Sequence, residues 1–238
     1  MMCTGRVDLA FIFRSFYDRA DGVYIAGCRL DECKYITQGN YHALNLVLLS
    51  KRLMEHIGLD PERLRIEFMS SAEGGRFAET VNDFVRKVRA IGPWGKAEGL
   101  DEDDLASRVK GLMTLIPYLK IAKREKLASR LKDPQSWDQL FTRDEIETLF
   151  REIPSYYIDP EKCQACMTCA RRCPTEAILG GKNLIHIIDQ EKCIKCGTCL
   201  EVCPSRFGAV TKIIGEPVPP PLPEERRTIT RKAKEKGS

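Results

Sequence analysis

The sequence runs to 238 residues and sets 38 Lys and Arg against 34 Asp and Glu, a formal net charge of +4. This length suits one large domain or two modest ones, no stretch approaches the roughly 18 consecutive apolar residues of a membrane span, and the opening MMCTGRVDLAFIF lacks the pattern of a secretory signal. The small basic surplus comes mainly from the tail Glu224 to Ser238, where no aromatic residue interleaves with the charges, so nucleic acid is not expected as a partner.

In chain order, the first 92 residues alternate helix and strand. Val7 to Ala20 is predicted helical, Val23 to Ala26 reads as a short buried parallel strand, and Tyr41 to Ile57 is a helix apolar nearly all round its first half, stopped by Gly58. Arg63 to Met69 is a second strand. Ser70 to Glu73 fits a capping box that opens a helix striped by Phe77, Val81, Phe84 and Val88. This order implies an α/β unit with an open, mostly parallel sheet over residues 1–92. Residues 93–154 are expected to form a helical spacer, its first helix interrupted at Pro117, with shorter helices over Lys120 to Leu131 and Thr142 to Glu152. An α+β ferredoxin-type domain follows over 155–215, and 216–238 is a tail of polyproline, Pro217 to Pro223, and basic charge. The polyproline is expected to lie along a neighbouring subunit, and the basic end to be solvated and disordered.

Eleven cysteines stand out: Cys3, Cys28 and Cys33, then eight between Cys163 and Cys203. With no sign of export, thiolates held by metal in a reducing cytoplasm explain them better than disulfides. Tyr157 to Cys163 recurs as Ile187 to Cys193, and Cys163, Cys166, Cys169 and Cys173 return 30 positions later as Cys193, Cys196, Cys199 and Cys203, with Pro174 and Pro204 after each set. Each half reads C-x2-C-x2-C-x3-C-P, the run for a four-iron cluster whose fourth cysteine serves the other cluster. Cys163, Cys166, Cys169 and Cys203 are therefore assigned to one [4Fe-4S] cluster, and Cys193, Cys196, Cys199 and Cys173 to the second. Structural zinc also uses C-x2-C pairs, but the doubled run is far more specific. Ile158, Ile178, Ile188 and Val210 are expected as the small core beside the clusters.

At the other end of the chain, Cys28 follows the first strand at the carboxyl edge of the sheet, where open α/β sheets place ligand sites. Cys33 lies in the loop that runs on to Gly39-Asn40, and Cys3 precedes the first helix, so the three can converge. Spacing alone leaves a metal site and simple burial equally open.

The residues Cys3-Thr4-Gly5-Arg6-Val7-Asp8, Gly27-Cys28, Asp31-Glu32-Cys33-Lys34-Tyr35, Gly39-Asn40-Tyr41-His42-Ala43 and Ser70 to Gly74, with Phe77, together resemble the iron–sulfur (delta) subunit of methyl-viologen-reducing hydrogenases over residues 1 to about 92. The resemblance implies a [2Fe-2S] cluster and electron flow from a hydrogenase or formate dehydrogenase to the flavin subunit of a heterodisulfide reductase. It also implies a cysteine-bearing segment and a strand ahead of Cys3. Only Cys3, Cys28 and Cys33 are available here, so a fourth ligand is expected from a missing segment or a partner chain; otherwise the cluster is absent or borrows Asp31 or His42. Arg29 and Lys34 replace histidines common in the family and are expected to raise the cluster's potential if they point inward.

The leading expectation is a cytoplasmic electron-transfer subunit without a substrate pocket of its own. The alternative is a self-contained thiol/disulfide or other redox enzyme, using Cys28 or Cys33 and fed by its ferredoxin domain. C-x4-C spacing weakens it, because dithiol oxidoreductases use C-x-x-C.

Overall fold

Asp8 opens the first helix by accepting a hydrogen bond from Ala10 N with its side chain, and α1 (Leu9–Tyr17) then buries Leu9, Ile12, Phe13 and Phe16 on one face. The structure is a computed structural model that describes residues 3–35 and 39–228. By contact it divides into two compact units, 1–149 and 150–238. Among the described residues no helix is long and apolar enough to cross a membrane.

In the first unit, β1 (Val23–Gly27) pairs in parallel with β2 (Leu64–Phe68), Val23 opposite Leu64 and Gly27 opposite Phe68. Between them runs α2 (Asn40–Ile57), whose Leu44, Leu46, Leu49, Leu53 and Met54 are all buried. Each such side chain contributes about 1.5–3 kcal/mol of hydrophobic stabilisation. Gly58 ends α2 in the left-handed region at φ 85°, where only glycine sits without strain. The expected sheet is present as this small two-stranded parallel core.

The helix α3 (Gly74–Ile91) begins one residue past the expected box. The Glu73 carboxylate does accept Ser70 N–H at 2.6 Å, but Glu73 N–H goes to Ser70 O at 3.1 Å, and Glu73 itself is the N-cap, with no capping bond from its side chain. Of its apolar stripe only Phe84 is buried, and Phe77 is 46% exposed.

The helices α4 (Glu102–Ala122), α5 (Arg124–Leu127) and α6 (Trp137–Leu140), with most of α7 (Arg143–Arg151), belong to the first unit and do not form a separate body. Helix α4 runs on through Pro117. Lys120 pairs with Asp8 at the start of α1, and Asn45 Nδ2 of α2 lies within hydrogen-bond distance of Lys126 O and Leu127 O in the last turn of α5 and of Ser129 O just after it. The spacer thus closes the apolar faces of α1 and α2, which two strands alone leave uncovered.

In the second unit β3 (Pro154–Ile158) pairs antiparallel with β6 (Val210–Ile214), and β4 (Ile178–Gly181) with β5 (Leu184–Ile188). Two short helices, α8 (Thr168–Arg172) and α9 (Thr198–Val202), lie between. Ile158, Ile178, Ile188 and Val210 are buried together, as their alternation requires. The polyproline does not extend away as an arm. Val218 to Leu222 lie against Tyr157, Ile185 and Ile187 of the same unit, Arg227 O accepts Ile185 N–H at 2.7 Å, and Thr228 bridges to Leu184. Ile185 and Ile187 are only half-buried on β5, and a proline-rich stretch, poor in N–H donors, covers such an apolar surface without stranding polar groups. The expected basic disordered end, from 229 onward, lies outside the described residues.

Candidate iron–sulfur centres

Cys3, Cys28 and Cys33 meet at the carboxyl edge of the two-stranded sheet. Thr4 Oγ1 donates to Ala26 O at 2.9 Å and ties the turn after Cys3 to β1. Gly27 permits that approach, since a Cβ there would stand 2.9 Å from Thr4 Oγ1. At the start of α2, Asn40 Nδ2 donates to Cys28 O at 3.0 Å and Arg29 O at 2.6 Å, and lies 3.7 Å from Cys28 Sγ. Gly39 leaves room for Cys33: a Cβ would fall 2.3 Å from its Sγ and 2.2 Å from Tyr35 O. The three cysteines line one cavity of about 550 Å³ with Met69 and Ser70 from the end of β2.

The thiols interact. Burial pushes the Cys28 thiol up, and Cys33 and Cys3 add to the rise. Burial also opposes the Cys33 thiolate, but the backbone at Tyr35 and Asn40, together with hydrogen bonds to Cys28 and Cys3, brings its pKa below the usual thiol value. Lys34 lines the cavity. Arg29 instead forms an ion pair with Glu73 at 2.8 Å, so its charge is neutralised locally. Asp31 and His42 do not join the cysteines: Asp31 sits in a turn at φ 68° and pairs with Arg130, and His42 Nδ1 lies 3.1 Å from Leu127 O. Sequence reasoning missed Asn40 and Glu73 as supports of this cavity, though both lie in the stretches that carry the family resemblance.

In the second unit the 30-residue repeat becomes a repeated geometry. Asp159 O accepts Cys163 N–H at 3.0 Å, and Asp189 O accepts Cys193 N–H at 3.1 Å. Ala165 and Met167 lie in the left-handed region, and so do Lys195 and Gly197 at the matching places. Non-glycine residues there cost of order 1–3 kcal/mol each, and alternating left-handed residues turn backbone N–H groups inward into an anion-binding nest. Thr168 Oγ1 is 3.4 Å from Cys166 Sγ, and Thr198 Oγ1 is 3.3 Å from Cys196 Sγ.

Cys173 lines the same small cavity as Cys193, Cys196 and Cys199, the crossing that the spacing requires. Burial, with Cys163 nearby, pushes the Cys169 thiol up to about 11, and burial with Cys193 pushes Cys199 up to about 12. Thiols so costly to ionise alone, set in a nest of amides, fit a cationic iron–sulfur core that would hold them as thiolates. Among the described residues, no three of His, Cys, Asp and Glu converge as they would around a single metal ion. One neighbour carries no motif in the sequence. His186 is buried on β5 with Nδ1 3.5 Å from Cys169 Sγ; the repeat aligns it with Tyr156, and that was the available signal.

Residues 1–92 match the family described as methyl-viologen-reducing hydrogenase, delta subunit, and residues 155–204 match the 4Fe-4S dicluster domain. A hydrogenase iron–sulfur subunit of Methanopyrus kandleri is 37% identical over 91 residues, which is 38% of this chain and 68% of that protein. The chain belongs to the hydrogenase delta-subunit family. A second relative of this delta-subunit protein is a hydrogenase iron–sulfur subunit of Archaeoglobus profundus, 41% identical over 92 residues, or 39% of this chain and 66% of that one. One subunit of the CoB–CoM heterodisulfide reductase of Methanosarcina acetivorans is 47% identical over 94 residues, or 40% of this chain. The delta-subunit chain spans only 12% of that reductase protein's length.

Proposed function

We propose that this delta-subunit protein relays electrons between a hydrogenase or formate dehydrogenase and the flavin subunit of a heterodisulfide reductase-type complex in the cytoplasm. Cys163, Cys166, Cys169 and Cys203 would hold one [4Fe-4S] cluster, and Cys193, Cys196, Cys199 and Cys173 the other. Cys3, Cys28 and Cys33 would supply three ligands to a [2Fe-2S] cluster, with the fourth from a segment outside this sequence or from a partner chain. When bound, the clusters supply one-electron carriers. The chain supplies the thiolates and, at Cys163, Cys169 and Cys199, the burial around them. The observation that carries this reading is the crossing of Cys173 into the Cys193, Cys196 and Cys199 cavity, since crossed ligation keeps two clusters close enough for exchange. The relatives are subunits of hydrogenases and of a heterodisulfide reductase, and this supports the choice of partners.

Iron and labile-sulfide analysis of the anaerobically purified full chain tests the cluster count: about eight irons supports the two cubanes alone, about ten adds the two-iron centre, and fewer than about eight sinks the two-cubane reading. Affinity capture of the native complex should retrieve hydrogenase or formate dehydrogenase subunits with a flavoprotein; recovery as a free monomer would count against the relay.

A second reading draws on the Cys28 and Cys33 thiols interacting within an open cavity, with Cys33 the more acidic. Such a pair could exchange with a disulfide substrate. Disulfide turnover by the purified chain without partners would favour it over the relay.

A further inference from the structure

His186 differs from its counterpart in the repeat in a way that bears on one cluster and not the other. It occupies the position of Tyr156, 30 residues earlier. On β5 it faces inward with Ile188, while Ile185 and Ile187 carry the polyproline. Its relative exposure is 1%, and its two ring nitrogens both face sulfur: Nδ1 lies 3.5 Å from Cys169 Sγ and Nε2 lies 3.2 Å from Met167 Sδ. The seat is shaped for the imidazole. Gly180, at the register shift in β4, lies beside the ring, and a Cβ there would stand 1.9 Å from His186 Cδ2. In the other half, Lys212 stands opposite Tyr156, whose ring reaches toward Gly197 instead.

We propose that His186 is a positioning residue that raises the reduction potential of the cubane held by Cys163, Cys166, Cys169 and Cys203, by donating Nδ1–H to Cys169 Sγ. The inference rests on the two-cubane reading above. A metal-bound Cys169 thiolate can only accept, and it is a stronger acceptor than the Met167 thioether, so the ring proton belongs on Nδ1. Reduction adds one electron to the cubane and spreads negative charge onto its thiolates. A fixed donor would stabilise that added charge more than the oxidised state and so raise the potential of this cubane.

The test is an anaerobic potentiometric titration of the full chain, followed by electron paramagnetic resonance. Replacing the donor in His186→Phe should weaken reduction of one cubane about three- to tenfold, tenfold being about 59 mV for a one-electron step, and leave the other unchanged. His186→Asn, which can place an N–H near the Nδ1 position, should recover most of the shift. Gly180→Ala, which crowds the ring, should move the same cubane in the same direction as His186→Phe. The proposal is overturned if His186→Phe keeps about eight irons with both potentials unmoved, if both potentials move equally, or if His186→Asn behaves like His186→Phe. Should His186→Phe lose iron, His186→Asn and Gly180→Ala carry the comparison, and loss of iron from all three would assign the histidine to assembly and overturn its tuning role. A wild-type chain lacking two cubane signals would overturn the cluster reading itself, a distinct result.

Discussion

Single residues decide the electrostatics around the amino-terminal cavity. Arg29, expected to add positive charge to a cluster, is held by Glu73, whose carboxylate also takes Ser70 N–H. Chiefly through Arg29, the Glu73 carboxyl is held at about 2, against an ordinary 4.5. A carboxylate with a lowered folded-state pKa stabilises fully above its unfolded value and loses that contribution as the pH falls through the folded one. The window here is therefore about pH 4.5 down to about 2. Thermal unfolding of Glu73→Gln should show a lower midpoint than wild type at pH 6, with the gap closing below about pH 4.5. A gap that persists unchanged to about pH 2.5 would show that Glu73 acts by packing instead. Gly39 has the opposite character: it is needed for space, because any side chain meets Cys33 Sγ and Tyr35 O.

At the scale of elements, a buried ion pair fixes where β2 starts and where α3 ends. Arg63 is fully buried, with Nε 2.5 Å from Glu98 Oε1, and its remaining donors serve Asp21 O, Gly92 O and Pro93 O. One side chain thereby joins the turn before β1 to the chain leaving α3. Removing a single partner of a buried pair strands a charge, so Arg63→Ala should lower urea-unfolding stability by about 3–5 kcal/mol. An apolar double replacement, Arg63→Met with Glu98→Leu, should lose much less, because no charge is left unpaired. Equal losses in the two variants would point to the carbonyl contacts of Arg63 as the main contribution. The continuity of α4 across Pro117 belongs to the same scale, since packing of Leu112, Ile116 and Leu119 outweighs the missing N–H.

For the whole molecule, the two units ought to respond differently to iron. The first has a conventional apolar core on α1, α2 and α4, whereas the second has a small core shared with cysteines, Cys163, Cys169 and Cys199 among them. Small domains with few apolar contacts depend on their metal for stability. Stripping iron with a chelator under oxidising conditions should abolish hydrogen-exchange protection in β3 to β6 and leave α1, α2 and α4 protected. Retained protection in β3 to β6 after complete iron loss would show that the second unit folds without its clusters.

Chemistry that lies in residue type and local spacing was legible in the sequence by itself. The 30-residue repeat marked the eight cysteines and the proposed exchange of Cys173 and Cys203 between the two sets, because the cluster motif is written in gaps of two and three residues. Period and capping residues marked α1, β1, α2 and β2 to within a few residues, and Gly58 marked the end of α2. Tertiary structure decided what depends on residues distant in sequence. It brought Cys3 to Cys28 and Cys33 through Thr4 and Asn40, turned Arg29 toward Glu73, folded the helices after 102 onto α1 and α2, and laid the polyproline on β5. It also set His186 beside Cys169, 17 residues away, in the space left by Gly180. These are matters of which side chains meet across the fold, and proximity of that kind follows from the packing of whole elements, on which local pattern is silent.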